Sequence, residues 1–174
     1  MIRSSSPPTQ PLALRAINGN SDSVNAVYDN TVNGGNGNDT IIISAYELDD
    51  PARVYRNTVN GGAGSDTFSF VGTSPDVSNA NRANVIADFN ADEGDKIRLL
   101  ADAGSAANFQ LDATVYGGYI EALTAANSAV TGPVKYFFAN VGGDGYLFYD
   151  LDGNAGADHA IKLTGVAAFD AGSI

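Results

Sequence analysis

The sequence predicts an all-β protein, a short parallel β-roll that continues into an antiparallel, β-sandwich-like C-terminal cap. Three observations predict it. A ten-residue Gly-rich segment occurs twice. Each copy leads into a short apolar stretch with strand character. The second half is a series of short apolar segments separated by Gly, Asn and Asp turns.

Taken in order, residues 1–16 hold Ser4-Ser5-Ser6-Pro7-Pro8 and Pro11 and read as a flexible leader. Met1 to Gln10 lacks the basic-then-apolar pattern of a secretory signal. Residues 17–100 read as the roll. Here Thr31-Val32-Asn33-Gly34-Gly35-Asn36-Gly37-Asn38-Asp39-Thr40 recurs 27 residues on as Thr58-Val59-Asn60-Gly61-Gly62-Ala63-Gly64-Ser65-Asp66-Thr67, with eight of ten positions identical. A degraded third copy is read upstream, at Asn18-Gly19-Asn20-Ser21-Asp22-Ser23-Val24. Ile41-Ile42-Ile43 follows the first full copy and Phe68-Ser69-Phe70 the second, the latter alternating as a half-buried strand does. A plain roll uses two nonapeptides per coil, about 18 residues. The longer period predicts an enlarged loop at Ser44–Asn57 on the side opposite the Gly-rich turns, so that those turns stack on one another.

Val85–Phe89 and Lys96–Leu99 read as strands around an acidic turn. Residues 101–174 read as the cap, with a short helix expected at Ala101–Ala107. Strands are expected at Phe109–Val115, Tyr119–Leu123, Val134–Ala139, Tyr146–Tyr149 and His159–Leu163, followed by a final strand edge and a frayed end.

Each full copy fits Gly-Gly-x-Gly-x-Asp-x-apolar-x, the nonapeptide of calcium-binding parallel β-helices. The chemistry behind the pattern can be stated position by position. Ca²⁺ takes six to eight oxygens and accepts backbone carbonyls as readily as carboxylates. Glycines let the chain curl so that successive carbonyls aim at one point. The Asp adds a charged oxygen where the strand begins, and the apolar residue two places on fills a narrow core. One turn offers too few ligands, so the ion is expected between stacked turns. Gly34, Gly35, Asn36, Gly37 and Asp39 would contribute from one, and Gly61, Gly62, Ala63, Gly64 and Asp66 from the next. A weaker site is expected between Asn18–Asp22 and Gly34–Asp39. Ordinary Gly-Asn-Asp turns are the alternative, and the near-identity of two copies argues against it.

Gly61 to Leu99 resembles the C-terminal module of serralysin-type secreted metalloproteases and related repeats-in-toxin proteins. The residues that carry the resemblance are Gly61-Gly62-Ala63-Gly64-Ser65-Asp66-Thr67-Phe68, Ile86-Ala87-Asp88-Phe89 and Gly94-Asp95-Lys96-Ile97. The tail from Tyr146 to Val166 is similar to that family's closing hairpin. The resemblance implies that Asp88 and Asp95, seven residues apart, close a calcium site against the preceding turns. It also implies a non-catalytic, secreted module, exported by type I secretion machinery through a signal in the last few dozen residues and folding on extracellular calcium. The chain departs from the family in having only two intact repeats and in the insert at Ser44–Asn57.

The remaining features bound the function. A net charge of −11, from 20 acidic and 9 basic residues, argues against nucleic acid and against an anionic membrane surface. No apolar run reaches the length of a membrane span. Without cysteine there are no disulfides or thiolate metal sites. His159 is the sole histidine, so a two-histidine zinc motif is impossible; a strand position is expected for it, and no enzyme activity. Asp150, Asp152, Asn154 and Asp158 form either a further calcium loop or an Asp-Gly turn between strands. A second functional reading is a calcium-dependent adhesin, surface-layer or glycan-binding module, with Tyr46, Tyr55, Tyr116 and Tyr119 as exposed aromatic contacts to a cell-surface or glycan ligand.

Overall fold

In a computed structural model of the chain, which describes residues 13–15, 21–25, 29–44, 56–71, 77–99 and 102–174, each repeat is two strands joined by a tight corner. Strand β3 (Thr31–Asn36) turns through Gly37–Asp39 into β4 (Thr40–Ser44), and β5 (Thr58–Ala63) turns through Gly64–Asp66 into β6 (Thr67–Val71). The Gly-rich run therefore begins as strand, and only its second half is turn. β3 pairs in parallel with β5, and β4 with β6, both at the 27-residue offset, so the Gly-rich corners stack as expected. The enlarged loop expected at Ser44–Asn57 falls largely outside the described residues.

A third coil follows. β7 (Asn84–Ile86) lies beside β5, and β8 (Lys96–Arg98) beside β6. Its corner is two residues longer, and a 3₁₀ turn at Ala91–Glu93 takes up the extra length. On the other side, β1 (Ala13–Arg15) pairs with β3 and β2 (Ser21–Asn25) with β4. β1 lies inside the expected 1–16 leader, so the roll starts earlier than its sequence signature. The register sets Asp22 against Ile41, within a strand, so it does not stand in the place of Asp39. The weaker site read around Asn18–Asp22 loses its turn aspartate, and the rest of that segment lies outside the described residues.

Inward-facing side chains form columns through the coils. Val32, Val59 and Ile86 stack on one sheet, and Ile41, Phe68 and Ile97 on the other, all essentially inaccessible to solvent. At the corner opposite the glycines a second column is polar. Asn57 Oδ1 accepts from the backbone N–H and Nδ2 of Asn30, at 3.3 and 3.0 Å, and Asn84 Oδ1 accepts the same pair from Asn57 at 3.2 and 3.0 Å. This buried asparagine ladder fixes the register with no charge involved.

The cap continues the same sheet. Its strands are β9 (Phe109–Tyr116), β10 (Tyr136–Val141), β11 (Asp144–Tyr149) and β12 (His159–Leu163). The strand order is β1-β3-β5-β7-β12-β11-β10-β9, facing a four-stranded sheet β2-β4-β6-β8. β10, β11 and β12 are antiparallel, as the sequence predicts, while β12 meets β7 and β9 meets β10 in parallel. The parallel β9–β10 step needs a crossover, and helix α1 (Tyr119–Ala129) supplies it. This corrects two expectations, a strand at Tyr119–Leu123 and a helix at Ala101–Ala107. The buried residues Tyr119, Ala122, Leu123 and Ala126 follow helical spacing, and Ala-rich composition favours helix. Residues 102–108 hold no helix.

β10 and β11 are buried on both faces. Tyr136, Phe138, Leu147 and Tyr149 join the roll core, while Phe137, Tyr146 and Phe148 pack under α1. The segment after β12 is neither a strand edge nor frayed. Phe169 and Ser173 are buried, and a 3₁₀ turn spans Ala171–Ser173.

Candidate metal centre

The Gly-rich corners carry a column of aspartates, Asp39, Asp66 and Asp95, each almost fully buried. They are threaded by hydrogen bonds from one coil to the next. Asp66 Oδ1 accepts from the Asp39 N–H at 2.8 Å, and Asp95 Oδ1 accepts from the Asp66 N–H at 2.8 Å. Asp95 Oδ2 takes the Asn90 N–H at 2.9 Å. What is left over matters most. Both carboxylate oxygens of Asp39 and Oδ2 of Asp66 are buried without a hydrogen-bond partner. A buried acceptor without a donor costs about 1–3 kcal/mol, and more when charged. Burial is the main cause that pushes the Asp66 carboxyl above the ordinary aspartate range. The Asp39 N–H works against it, and the charges of Asp95, Asp39 and Asp88 add to it. Asp95 is also raised, first by burial, against the Asn90 and Asp66 N–H groups.

The glycines let these oxygens crowd together. A Cβ on Gly61 would stand 2.1 Å from Asp66 Oδ2, and one on Gly34 would stand 2.8 Å from Asp39 Oδ2 and 2.4 Å from the Gly61 carbonyl oxygen. Gly62, at φ +100°, would meet the Gly35 carbonyl oxygen at 1.8 Å, and Gly64, at φ +127°, the Gly37 carbonyl oxygen at 2.4 Å. The Gly61 carbonyl oxygen and Asp39 Oδ2 thus flank the point where a Gly34 Cβ would stand, with no cationic side chain of the described ion pairs among them. That donor set, all oxygen and partly unsatisfied, fits a hard divalent cation such as Ca²⁺.

Other predicted positions are less open. The Ala63 carbonyl accepts from the Gly37 N–H at 2.8 Å and belongs to the ladder. Asn36 is exposed at the rim. Asp88 occupies the coil position that Gly34 and Gly61 hold in earlier coils, and its carboxylate bridges the N–H groups of Gly61 and Gly62 at 2.9 and 2.8 Å. Sequence reasoning missed Asn38, whose Oδ1 accepts from the Ser65 N–H at 3.0 Å across the stacked corners. The 27-residue spacing of polar residues was the available signal.

In the β11–β12 loop, carboxylate oxygens of Asp150, Asp152 and Asp158 come within 4.8 Å of one another. They serve the loop itself. Asp150 accepts from Gly153 N–H and pairs with Lys135 at 3.5 Å, and Asp158 accepts from the N–H groups of Leu151 and Asp152. Asn154 is turned onto Asp152. His159 is buried in β12 against the Tyr149 ring, as a strand residue. Of the aromatics expected to be exposed, Tyr119 is buried and donates to the Val77 carbonyl, and Tyr116 is half-buried and donates to Asp112. Tyr46 and Tyr55 lie outside the described residues.

Comparison with protein families matches residues 15–174 to the family described as peptidase M10 serralysin C terminal. Among solved structures, the chain is similar to the AlgE6R3 subunit of the Azotobacter vinelandii mannuronan C5-epimerase. The identity is 17%, with 92% of this chain and 75% of that one covered and a TM-score of 0.33. Comparison with curated proteins gives no match.

Proposed function

The chain belongs to the peptidase M10 serralysin C-terminal family, and from that premise we propose that it is a non-catalytic, calcium-binding module of a secreted protein that folds when it meets calcium outside the cell. The observation that carries this reading is the set of three buried carboxylate oxygens without a donor, on Asp39 and Asp66. Asp39 and Asp66 would hold the ion with carbonyls of the Gly34–Gly37 and Gly61–Gly64 segments. Asp95 and Asp88 support the next corner. The cation would supply positive charge that these buried carboxylates do not draw from the ion pairs of the described residues. At low calcium the corner is left with uncompensated charge, and the Gly-rich segments have high conformational entropy to lose. The binding free energy of the ion then becomes folding free energy. A chain loose in a calcium-poor cytoplasm suits export through a type I channel.

Circular dichroism and thermal melting, in calcium and in chelator, test the proposal. Calcium is expected to raise β-structure cooperatively at millimolar concentration or below, and chelator to abolish it. Native dichroism with an unchanged melting temperature in chelator would overturn the reading.

A further inference from the structure

β9 is the last strand of the eight-stranded sheet, and among the described strands it pairs only with β10. A free edge presents backbone N–H and C=O groups to any strand that can reach it. The large hydrophobic side chains exposed among the described residues all gather here. Leu111 is 50% exposed and Val115 69%, both on β9, and Ile120, at 60%, stands just beyond the strand in α1. The strand is bent at its middle. Its register sets Leu111 beside Phe138 and resumes with Val115 beside Asn140, so Asp112, Ala113 and Thr114 stand opposite Ala139 alone. Asp112, the one charged residue of β9, is turned back onto its own strand. It accepts from the Thr114 N–H at 2.8 Å and from the Tyr116 hydroxyl at 2.7 Å.

A bulge turns an edge away from a straight partner strand. A strand with the same bend can follow it, and β9 is its own complement about Ala113, the centre of the bulge. Antiparallel pairing about that residue sets Leu111 opposite the partner's Val115, Asp112 opposite the partner's Thr114 and Gln110 opposite the partner's Tyr116. Bulge then meets bulge, apolar meets apolar, and no two carboxylates stand directly opposite one another. We infer that β9 is a self-association surface, on which a second copy of the chain pairs antiparallel about Ala113 and continues the sheet across a two-fold axis. A single strand edge buries less than a standard-size interface, so the dimer is a weak one that forms at high local concentration. It uses no residue of the glycine corners.

Sedimentation velocity at saturating calcium, from about 5 to about 500 µM chain, tests this. The parent is expected to shift from monomer towards dimer across that range. Val115→Lys and Leu111→Lys, each at an exposed position, should raise the dissociation constant about tenfold or more with far-UV dichroism unchanged. Introduced cysteines read the register, because the chain has none of its own. Ala113→Cys lies on the axis and should form a disulfide-linked dimer under mild oxidation. Gln110→Cys lies about 20 Å from its counterpart in such a pair, beyond disulfide reach, and should not. A parent that stays monomeric throughout the range overturns the inference. So does a dimer that neither lysine variant weakens, or one in which Gln110→Cys cross-links as readily as Ala113→Cys.

Discussion

At the scale of single residues, the sign of a charge effect at Asp66 depends on whether the cation is present. Its Oδ1 is used by the Asp39 N–H, while Oδ2 is buried and has no donor. Asp66→Asn keeps an acceptor for that N–H and removes the buried charge. In chelator the variant is expected to retain more β-structure than the parent, by about 1–3 kcal/mol of relieved cost. In a calcium titration it should require about 10- to 100-fold more ion, a loss that supporting residues of metal sites already produce. Acid should act like the substitution. Burial raises the Asp66 and Asp95 carboxyls above the ordinary value, so the folded chain binds their protons more tightly than the unfolded chain does. The stabilisation is present below the unfolded value of about 3.9 and is lost as pH rises through the higher folded values. The calcium-free chain should therefore gain dichroism as pH falls from neutral towards about 4, and loss of structure over that window would contradict the burial argument. Glycine positions give a matched pair. Gly62→Ala would force a Cβ to 1.8 Å from the Gly35 carbonyl oxygen at φ +100°, whereas Gly153, at φ +79°, has nothing within 4 Å. Thermal melting should register several-fold more destabilisation for the first than for the second, which carries only the backbone penalty of about 1 kcal/mol.

At the scale of elements, the roll is stapled at both corners by different chemistry. The glycine corner carries the buried carboxylates that the proposed cation would neutralise, and the opposite corner carries Asn30, Asn57 and Asn84 joined by amide hydrogen bonds. Asn57→Ala removes the acceptor for Asn30 and the donor to Asn84 and is expected to lower stability by about 2–4 kcal/mol, read as a lower melting temperature in saturating calcium. The number of ions bound, measured by calorimetry, should not change. A changed stoichiometry would mean that the two corners are one system. The contrast also explains what could be read beforehand. The Gly-rich corners are legible because the motif restricts residue type at four of the ten repeated positions, Gly34, Gly35, Gly37 and Asp39. The asparagine ladder has the same 27-residue period but needs only one position per coil, and it passed unnoticed inside Asn-Thr-Val and Asn-Val-Ile. Asp22 was misplaced because an aspartate near glycines imitates the motif, while only strand register decides its place. Tyr119-Ile120 suggested a strand through two β-favouring residues, and the helical spacing out to Ala126 outweighs them. The parallel pairing of β9 with β10 depends on that helix and could not be read once the helix was missed.

At the scale of the whole molecule, the boundary read near residue 100 from the change in sequence character does not interrupt the architecture. β7 of the roll pairs with β12 of the cap, and one core runs from Val32 and Phe68 through Phe138, Leu147 and Leu163 to Phe169. A sheet shared in this way leaves neither part a complete core when the other opens, so the two should unfold together. The tyrosines make this measurable, because the chain has no Trp and five of its eight Tyr residues, Tyr116, Tyr119, Tyr136, Tyr146 and Tyr149, lie after residue 101. Tyrosine fluorescence therefore weights the cap, and far-UV dichroism weights strands in both parts. In urea at saturating calcium, the two signals are expected to give one midpoint. Partial withdrawal of calcium should lower both midpoints equally, although every residue of the glycine corners lies in the roll. A fluorescence midpoint that stayed fixed while the dichroism midpoint fell would mean that β10, β11, β12 and α1 hold together without the roll. The shared sheet would then transmit no stability from the glycine corner to the cap.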